Sequence, residues 1–135
     1  MVCYNLKKGK MVEIKKILVI EDDPEEREVL VQALKKSGYI VYGAQTGEEG
    51  LNIFKKVKPD LVLLDVVLPG IDGWEVLRRI KAGPLSRRTP VVMVTAKSSD
   101  TDKVTGYEIG ADFYITKPYN ITKILPIIRD IVSKK

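Results

Sequence analysis

The feature that most constrains this chain is a strict alternation of short apolar runs with longer amphipathic segments. The apolar runs, which favour strands buried on both faces, are residues 17–20, 39–44, 61–64, 91–95 and 112–115. The amphipathic segments, which favour helices, are residues 24–37, 46–56, 73–82, 98–109 and 120–132. Five strand–helix pairs in this order predict an α/β fold, a doubly wound five-stranded parallel sheet with helices on both faces.

Length and cysteine content restrict the organisation of the chain. Its 135 residues are enough for one ordinary domain and too few for two. We expect residues 1–14 to form a flexible N-terminal extension and residues 15–135 to form the domain. The single cysteine, Cys3, has no partner for a disulfide within the chain, so we expect a cytoplasmic location. No apolar stretch approaches the roughly 20 residues of a membrane-spanning helix, so we expect no membrane association.

Charge and histidine content exclude several functions. The net charge of +5 is modest, and the basic residues are spread over several segments without interleaved aromatic residues. This distribution is typical of solvated helix faces, so we expect no direct nucleic-acid binding. The chain has no histidine, which excludes the commonest general base, the commonest zinc ligand and a phosphohistidine formed on this chain.

Acidic residues follow two of the predicted strands. Glu21, Asp22 and Asp23 come directly after residues 17–20, and Asp65 comes directly after residues 61–64. Because parallel strands end at one edge of a sheet, where open α/β folds bind ligands, we expect these carboxylates to gather there. Crowded carboxylates repel one another, and a hard divalent cation relieves the repulsion. The pattern therefore predicts a Mg²⁺ site that also handles phosphate.

Two further polar residues belong to the same predicted edge. Thr95 ends the run 91–95, and Lys117 follows the last strand. A carboxylate nucleophile, a hydroxyl donor and an ammonium beside a cation suit phosphoryl transfer better than acid–base catalysis. In this interpretation Asp65 attacks phosphorus, while Mg²⁺, Lys117 and Thr95 stabilise the charge on the phosphoryl oxygens.

In order and spacing, these residues resemble the receiver domain of two-component response regulators. The matching segments are residues 21–23, 65–73, 95–96 and 117–118, and the resemblance extends over residues 16–132. Each motif alone is weak, but their combination at strand ends is specific. The resemblance implies strand order 2-1-3-4-5. It also implies phosphorylation of Asp65 by a histidine kinase or a histidine phosphotransfer protein.

The resemblance also implies a metal site. It places Mg²⁺ on Asp23, Asp65 and the backbone carbonyl of Val67, with Asp22 acting mainly through water. The chain would then catalyse only its own phosphorylation and dephosphorylation, so we expect no enzyme activity on external substrates.

A conformational switch is the remaining implication of the resemblance. It makes Tyr114 a switch aromatic that turns inward when Thr95 moves toward the phosphoryl group. The output would be a protein target that binds the face formed by the fourth helix, the fifth strand and the fifth helix. The candidate residues on that face are Lys103, Tyr107 and Lys123. Because the last helical segment ends near Lys135, we expect a single-domain, chemotaxis-regulator-like form, while a relay intermediate and the isolated receiver of a larger regulator also fit the sequence.

Other interpretations stay open at this point. The structural ones are a helix cap for Asp22 and Asp23, a turn for Asp65, strand packing for Thr95 and Tyr114, and a solvated loop position for Lys117. A Mg²⁺-dependent aspartyl-phosphate phosphatase needs a second acid two residues after its nucleophile. Val67 occupies that position here, which argues against this alternative. A phosphorylation-independent docking domain of the same fold would lack some site residues, and this chain has all of them. Pro126 indicates either that the last helix starts after Asn120 or that it bends.

Overall fold

A five-stranded parallel sheet forms the centre of the molecule, in a computed structural model that describes residues 2–6 and 9–133. The strands are β1 (Val2–Asn5), β2 (Lys10–Glu13), β3 (Lys16–Ile20), β4 (Ile40–Ala44), β5 (Leu61–Leu64), β6 (Val91–Thr95) and β7 (Phe113–Thr116). The helices are α1 (Pro24–Lys36), α2 (Gly47–Val57), α3 (Gly73–Ala82), α4 (Asp100–Ile109) and α5 (Ile121–Ser133), with a short 3-10 helix at Ser86–Arg88. The predicted strands and helices therefore all form.

The order of strands in the main sheet is β4-β3-β5-β6-β7, and all neighbours run parallel. This is the predicted order 2-1-3-4-5, counted from the first strand of the main sheet, so the predicted fold is confirmed. All residues of β5 and β6 are buried, because helices cover both faces of the sheet. The edge strand β4 is only half-buried along most of its length.

Two hydrophobic cores lie on opposite faces of the sheet. Neighbouring residues of a strand point to opposite faces, so Ile17 belongs to one core and Leu18 to the other. Helices α1 and α5 cover the first face with residues such as Leu34 and Ile128. Leu77 of α3 is fully buried in the second core, against which side chains of α2 also pack. Each such buried side chain stabilises the fold by about 1.5–3 kcal/mol.

Helix boundaries follow the capping signals in the sequence. The N-cap residues whose side chains accept a backbone hydrogen bond are Asp23 for α1, Thr46 for α2, Asp72 for α3 and Ser99 for α4. Helix α5 begins at Ile121 and contains Pro126, which has no amide hydrogen to bond the carbonyl four residues earlier.

The N-terminal segment contains an antiparallel hairpin. Strands β1 and β2 pair from Val2 opposite Glu13 to Asn5 opposite Lys10, in a sheet separate from the five-stranded one. Residues 1, 7 and 8 of the predicted flexible extension lie outside the described residues, as do residues 134 and 135, and the flexibility of residues 1–14 stays a prediction. Across residues 2–6 and 9–133, no helix has the length and apolar character needed to cross a membrane.

Candidate functional site

The carboxyl ends of four neighbouring strands bring the candidate site residues together. Glu21 directly follows β3 and Asp65 directly follows β5, and the amide of Asp65 donates to the carbonyl of Ile20 at 3.1 Å. Thr95 ends β6, and its carbonyl accepts from the amide of Lys117 at 2.9 Å. Backbone pairing therefore fixes these four side chains at one edge of the sheet.

Lys117 is the centre of the charge network at this edge. Its ammonium donates to Asp65 Oδ2 at 2.8 Å, to Glu26 Oε2 at 2.8 Å and to Glu21 Oε1. Partial burial disfavours the charged ammonium, but the bonds to Asp65, Glu21 and Glu26 outweigh it and raise the pKa of Lys117 above its ordinary value. Lys117 therefore stays charged at neutral pH and offers a fixed cation beside Asp65.

Glu21 is a buried acid directly after β3, and the sequence pattern predicts no site role for it. Burial raises its pKa to about 7, and repulsion from Asp65 adds to this, while the hydrogen bond from Lys117 lowers it. Arg27 donates to the backbone carbonyl of Glu21 at 2.7 Å and helps to hold the loop after β3. The sequence does contain a signal for this role, because Glu21 comes directly after an apolar strand just as Asp65 does. The first residues beyond β3 and β5 lie at the same edge of the sheet.

Three carboxylates of this edge are close enough to share a cation. Oxygen atoms of Glu21, Asp22 and Asp65 all lie within 4.8 Å of one another. Asp23, which the resemblance made a metal ligand, accepts instead from the backbone amides of Glu25 at 2.9 Å and Glu26 at 3.1 Å. Strand β3 ends at Ile20, so the third residue beyond it already caps α1. A metal role for Asp23 stays a prediction.

Asp65 is buried and both of its carboxylate oxygens are bonded. Oδ1 accepts from the amide of Val67 at 3.0 Å, and Oδ2 accepts from Lys117. Helix α3 starts directly against this turn, because a Cβ atom at Gly73 would lie 2.1 Å from the carbonyl oxygen of Asp65. The glycine therefore allows the helix to approach the site backbone closely.

Thr95 and Tyr114 connect the site to α4. Thr95 is fully buried, and its hydroxyl accepts from the amide of Lys97 at 3.3 Å. The ring of Tyr114 is buried, and its hydroxyl donates to the carbonyl of Lys97. Burial raises the pKa of Tyr114 to about 12, with a smaller effect from the charge of Asp102. Tyr114 therefore remains a hydrogen-bond donor, and its role as a switch stays a prediction.

Five further residues near the site and on α4 and α5 are exposed or half-buried. Val67 and Lys97 are exposed, and their backbone amides donate to the side chains of Asp65 and Thr95 respectively. Tyr107 is exposed on α4, and its ring centre lies 6.4 Å from that of Tyr114. Lys103 on α4 is half-buried and Lys123 on α5 is exposed, so both helices present basic residues.

Comparisons with known proteins agree with the observed fold. The sequence model of the response regulator receiver domain matches residues 17–129. A receiver domain protein of CheY-like type from Methanospirillum hungatei is 32% identical, with a TM-score of 0.85 over 90% of this chain and 96% of that one. The receiver domain of a signal transduction histidine kinase from Syntrophus aciditrophicus is also 32% identical, with a TM-score of 0.82 over 89% and 91%. The BeF3-activated N-terminal receiver domain of RstA from Klebsiella pneumoniae is 32% identical, with a TM-score of 0.81 over 87% and 97%.

Proposed function

Because the chain belongs to the response regulator receiver domain family of two-component signalling, we propose that it takes a phosphoryl group onto Asp65 from a phosphohistidine of a partner protein. The observation that carries this proposal is the bond of 2.8 Å between the Lys117 ammonium and the buried Asp65 carboxylate, inside a cluster of three carboxylates. A fixed cation beside a carboxylate nucleophile suits a reaction in which negative charge moves onto that carboxylate.

The chemistry is a displacement at phosphorus. An oxygen of Asp65 forms the new O–P bond while the P–N bond of the phosphohistidine breaks. The electron pair of the broken bond stays on the imidazole nitrogen, which takes a proton from solvent. Lys117 donates to an oxygen of the transferred group, and the hydroxyl of Thr95 donates to another.

The donor set at this edge fits a magnesium ion. The oxygen atoms of Glu21, Asp22 and Asp65 are hard ligands, and their spacing within 4.8 Å matches a shared cation. Burial is the main cause of the raised pKa of Glu21 and repulsion from Asp65 adds to it, and a cation at this edge would relieve that repulsion. Asp22 and Asp65 would hold the ion, with Glu21 close by and the carbonyl of Val67 as the ligand implied by family resemblance. When bound, Mg²⁺ supplies positive charge that offsets the charge of the phosphoryl oxygens.

The partners proposed here follow from the same family. A histidine kinase or a histidine phosphotransfer protein donates the phosphoryl group in the cytoplasm, and the chain itself turns over no external substrate. The output is a protein contact on the face of α4, β7 and α5. The exposed ring of Tyr107, packed near the buried ring of Tyr114, supports this choice because it joins the site to that face.

The test is incorporation of label from radioactive acetyl phosphate with Mg²⁺ present. Wild type is expected to take up alkali-labile label, and Asp65→Asn none, since an amide is a poor nucleophile. Asp100→Asn removes an exposed acid outside the site and is expected to behave as wild type. Full labelling of Asp65→Asn would refute the assignment of the acceptor. A folded wild type that takes up no label would favour a phosphorylation-independent docking domain.

A further inference from the structure

The ammonium of Lys117 has no hydrogen-bond donor to spare. An ammonium carries three N–H donors, and here each faces a different carboxylate, on Asp65, Glu21 and Glu26. A phosphoryl oxygen can therefore gain a full hydrogen bond from Lys117 only when one of these three partners gives up its own.

The three carboxylates differ in how easily they can release the ammonium. The side chains of Glu21 and Asp65 are 4% and 7% exposed, whereas that of Glu26 is 47% exposed. A released buried carboxylate would lose its bond without gaining water, which is strongly unfavourable. A released Glu26 turns into solvent and is hydrated, so it is the exchangeable partner.

We propose that Glu26 is a positioning residue that competes with the phosphoryl group for Lys117 and slows phosphorylation of Asp65. The inference rests on the proposed function. While Asp65 is free, the ion pair ties the first turn of α1 to the segment after β7. When the phosphoryl group arrives, Lys117 exchanges Glu26 for a phosphoryl oxygen and the side chain of Glu26 is freed. The bonds formed and broken in the phosphoryl transfer to Asp65 are the same as in the proposed function, because Glu26 exchanges only a hydrogen bond.

The chain contains a matched control for this competitor. Glu25 and Glu26 are adjacent exposed acids in the first turn of α1, and both amides donate to Asp23. Replacing either one removes one negative charge from the same helix terminus. Among residues 2–6 and 9–133, the carboxylates paired with Lys117 do not include Glu25. A difference between the two substitutions therefore reports the bond to Lys117 and not the local charge.

The experiment compares the wild-type chain with Glu26→Ala, Glu26→Gln and Glu25→Ala. The rate constant for labelling of Asp65 by acetyl phosphate is measured at saturating donor and Mg²⁺, together with the dissociation constant for beryllofluoride by calorimetry. Partly exposed ion pairs are worth up to about a factor of five in an equilibrium. Glu26→Ala is therefore expected to label about two- to five-fold faster and to bind beryllofluoride tighter by a similar factor. Glu26→Gln keeps a weaker neutral acceptor and is expected to fall between wild type and Glu26→Ala.

A merely structural role for Glu26 would predict a different result. In that case the two alanine variants would share one labelling rate and one beryllofluoride affinity, and this equality would overturn the inference while leaving the proposed function intact. Slower labelling of Glu26→Ala would also overturn it, since Glu26 would then orient Lys117 for the reaction. A wild type that takes up no label would refute the proposed function and this inference with it. Thermal melting of each variant identifies any unfolded protein before the rates are compared.

Discussion

Replacing Glu21 by Gln is predicted to stabilise the fold at high pH in the absence of Mg²⁺. The carboxylate of Glu21 is buried beside that of Asp65, and burial raises its pKa from 4.5 to about 7. The folded chain therefore binds a proton at Glu21 more readily than the unfolded chain does. The free energy of unfolding falls as the pH rises from about 4.5 to about 7, and the loss persists above pH 7. An amide of the same shape carries no charge and avoids this loss.

The size of the effect follows from the two pKa values. A folded-state pKa of about 7 against an ordinary value of 4.5 corresponds to about 3 kcal/mol at pH 8, when the acid is charged in both states. At pH 5 the same values give less than about 1 kcal/mol, because the folded protein still holds the proton. The variant should therefore gain stability chiefly between these two pH values.

The assay is urea denaturation followed by circular dichroism at pH 5 and pH 8, with EDTA present. Glu25→Gln removes an acid from an exposed position nearby and is expected to change stability by less than about 1 kcal/mol at either pH. If Glu21→Gln were no more stable than wild type at pH 8, the ion pair with Lys117 would dominate over burial. An equal gain at both pH values would show that the effect is not electrostatic in the way argued here.

Three further predictions concern the metal, the lifetime of the phosphorylated state and the packing below the site. Asp22→Asn is expected to weaken Mg²⁺ binding in calorimetry more than Asp23→Asn, whose side chain still caps α1; the reverse order would restore the ligand set implied by resemblance. Hydrolysis of phosphorylated Asp65 needs a water molecule oriented toward phosphorus. The side chain of Val67 forms no hydrogen bond to such a water and that of Lys97 has no acceptor for it, so slow autodephosphorylation is expected. The double variant Val67→Asn with Lys97→Glu should release phosphate several-fold faster after donor removal, and a wild-type half-life of seconds would contradict the argument. Gly73→Ala places a methyl group against site backbone and should destabilise the fold by about 1–3 kcal/mol in urea denaturation; no loss would mean that the backbone moves aside.

The site shows where residue order was sufficient and where it was not. The positions of Asp65, Thr95 and Lys117 at one edge follow from counting apolar runs, because parallel strands must end together. The carboxylates that bond the Lys117 ammonium could not be predicted from the order of the apolar runs. Glu26 lies in the first turn of α1, and only the packing of α1 against the sheet brings its carboxylate within 2.8 Å of the ammonium.

The sequence by itself determined the fold class, the strand order implied by family resemblance and the sheet edge that carries Asp65, Thr95 and Lys117. These depend on hydrophobic periodicity and on motif spacing, both of which are local along the chain. Only the tertiary structure decided which acids form the cluster. Strand β3 ends at Ile20 and α1 begins at Pro24. Glu21 and Asp22 therefore lie beside Asp65, and Asp23 caps the helix. Burial, which raises the pKa of Glu21 and separates it from the exposed Glu26, is a property of the packed molecule, because it depends on atoms contributed by elements distant in the chain.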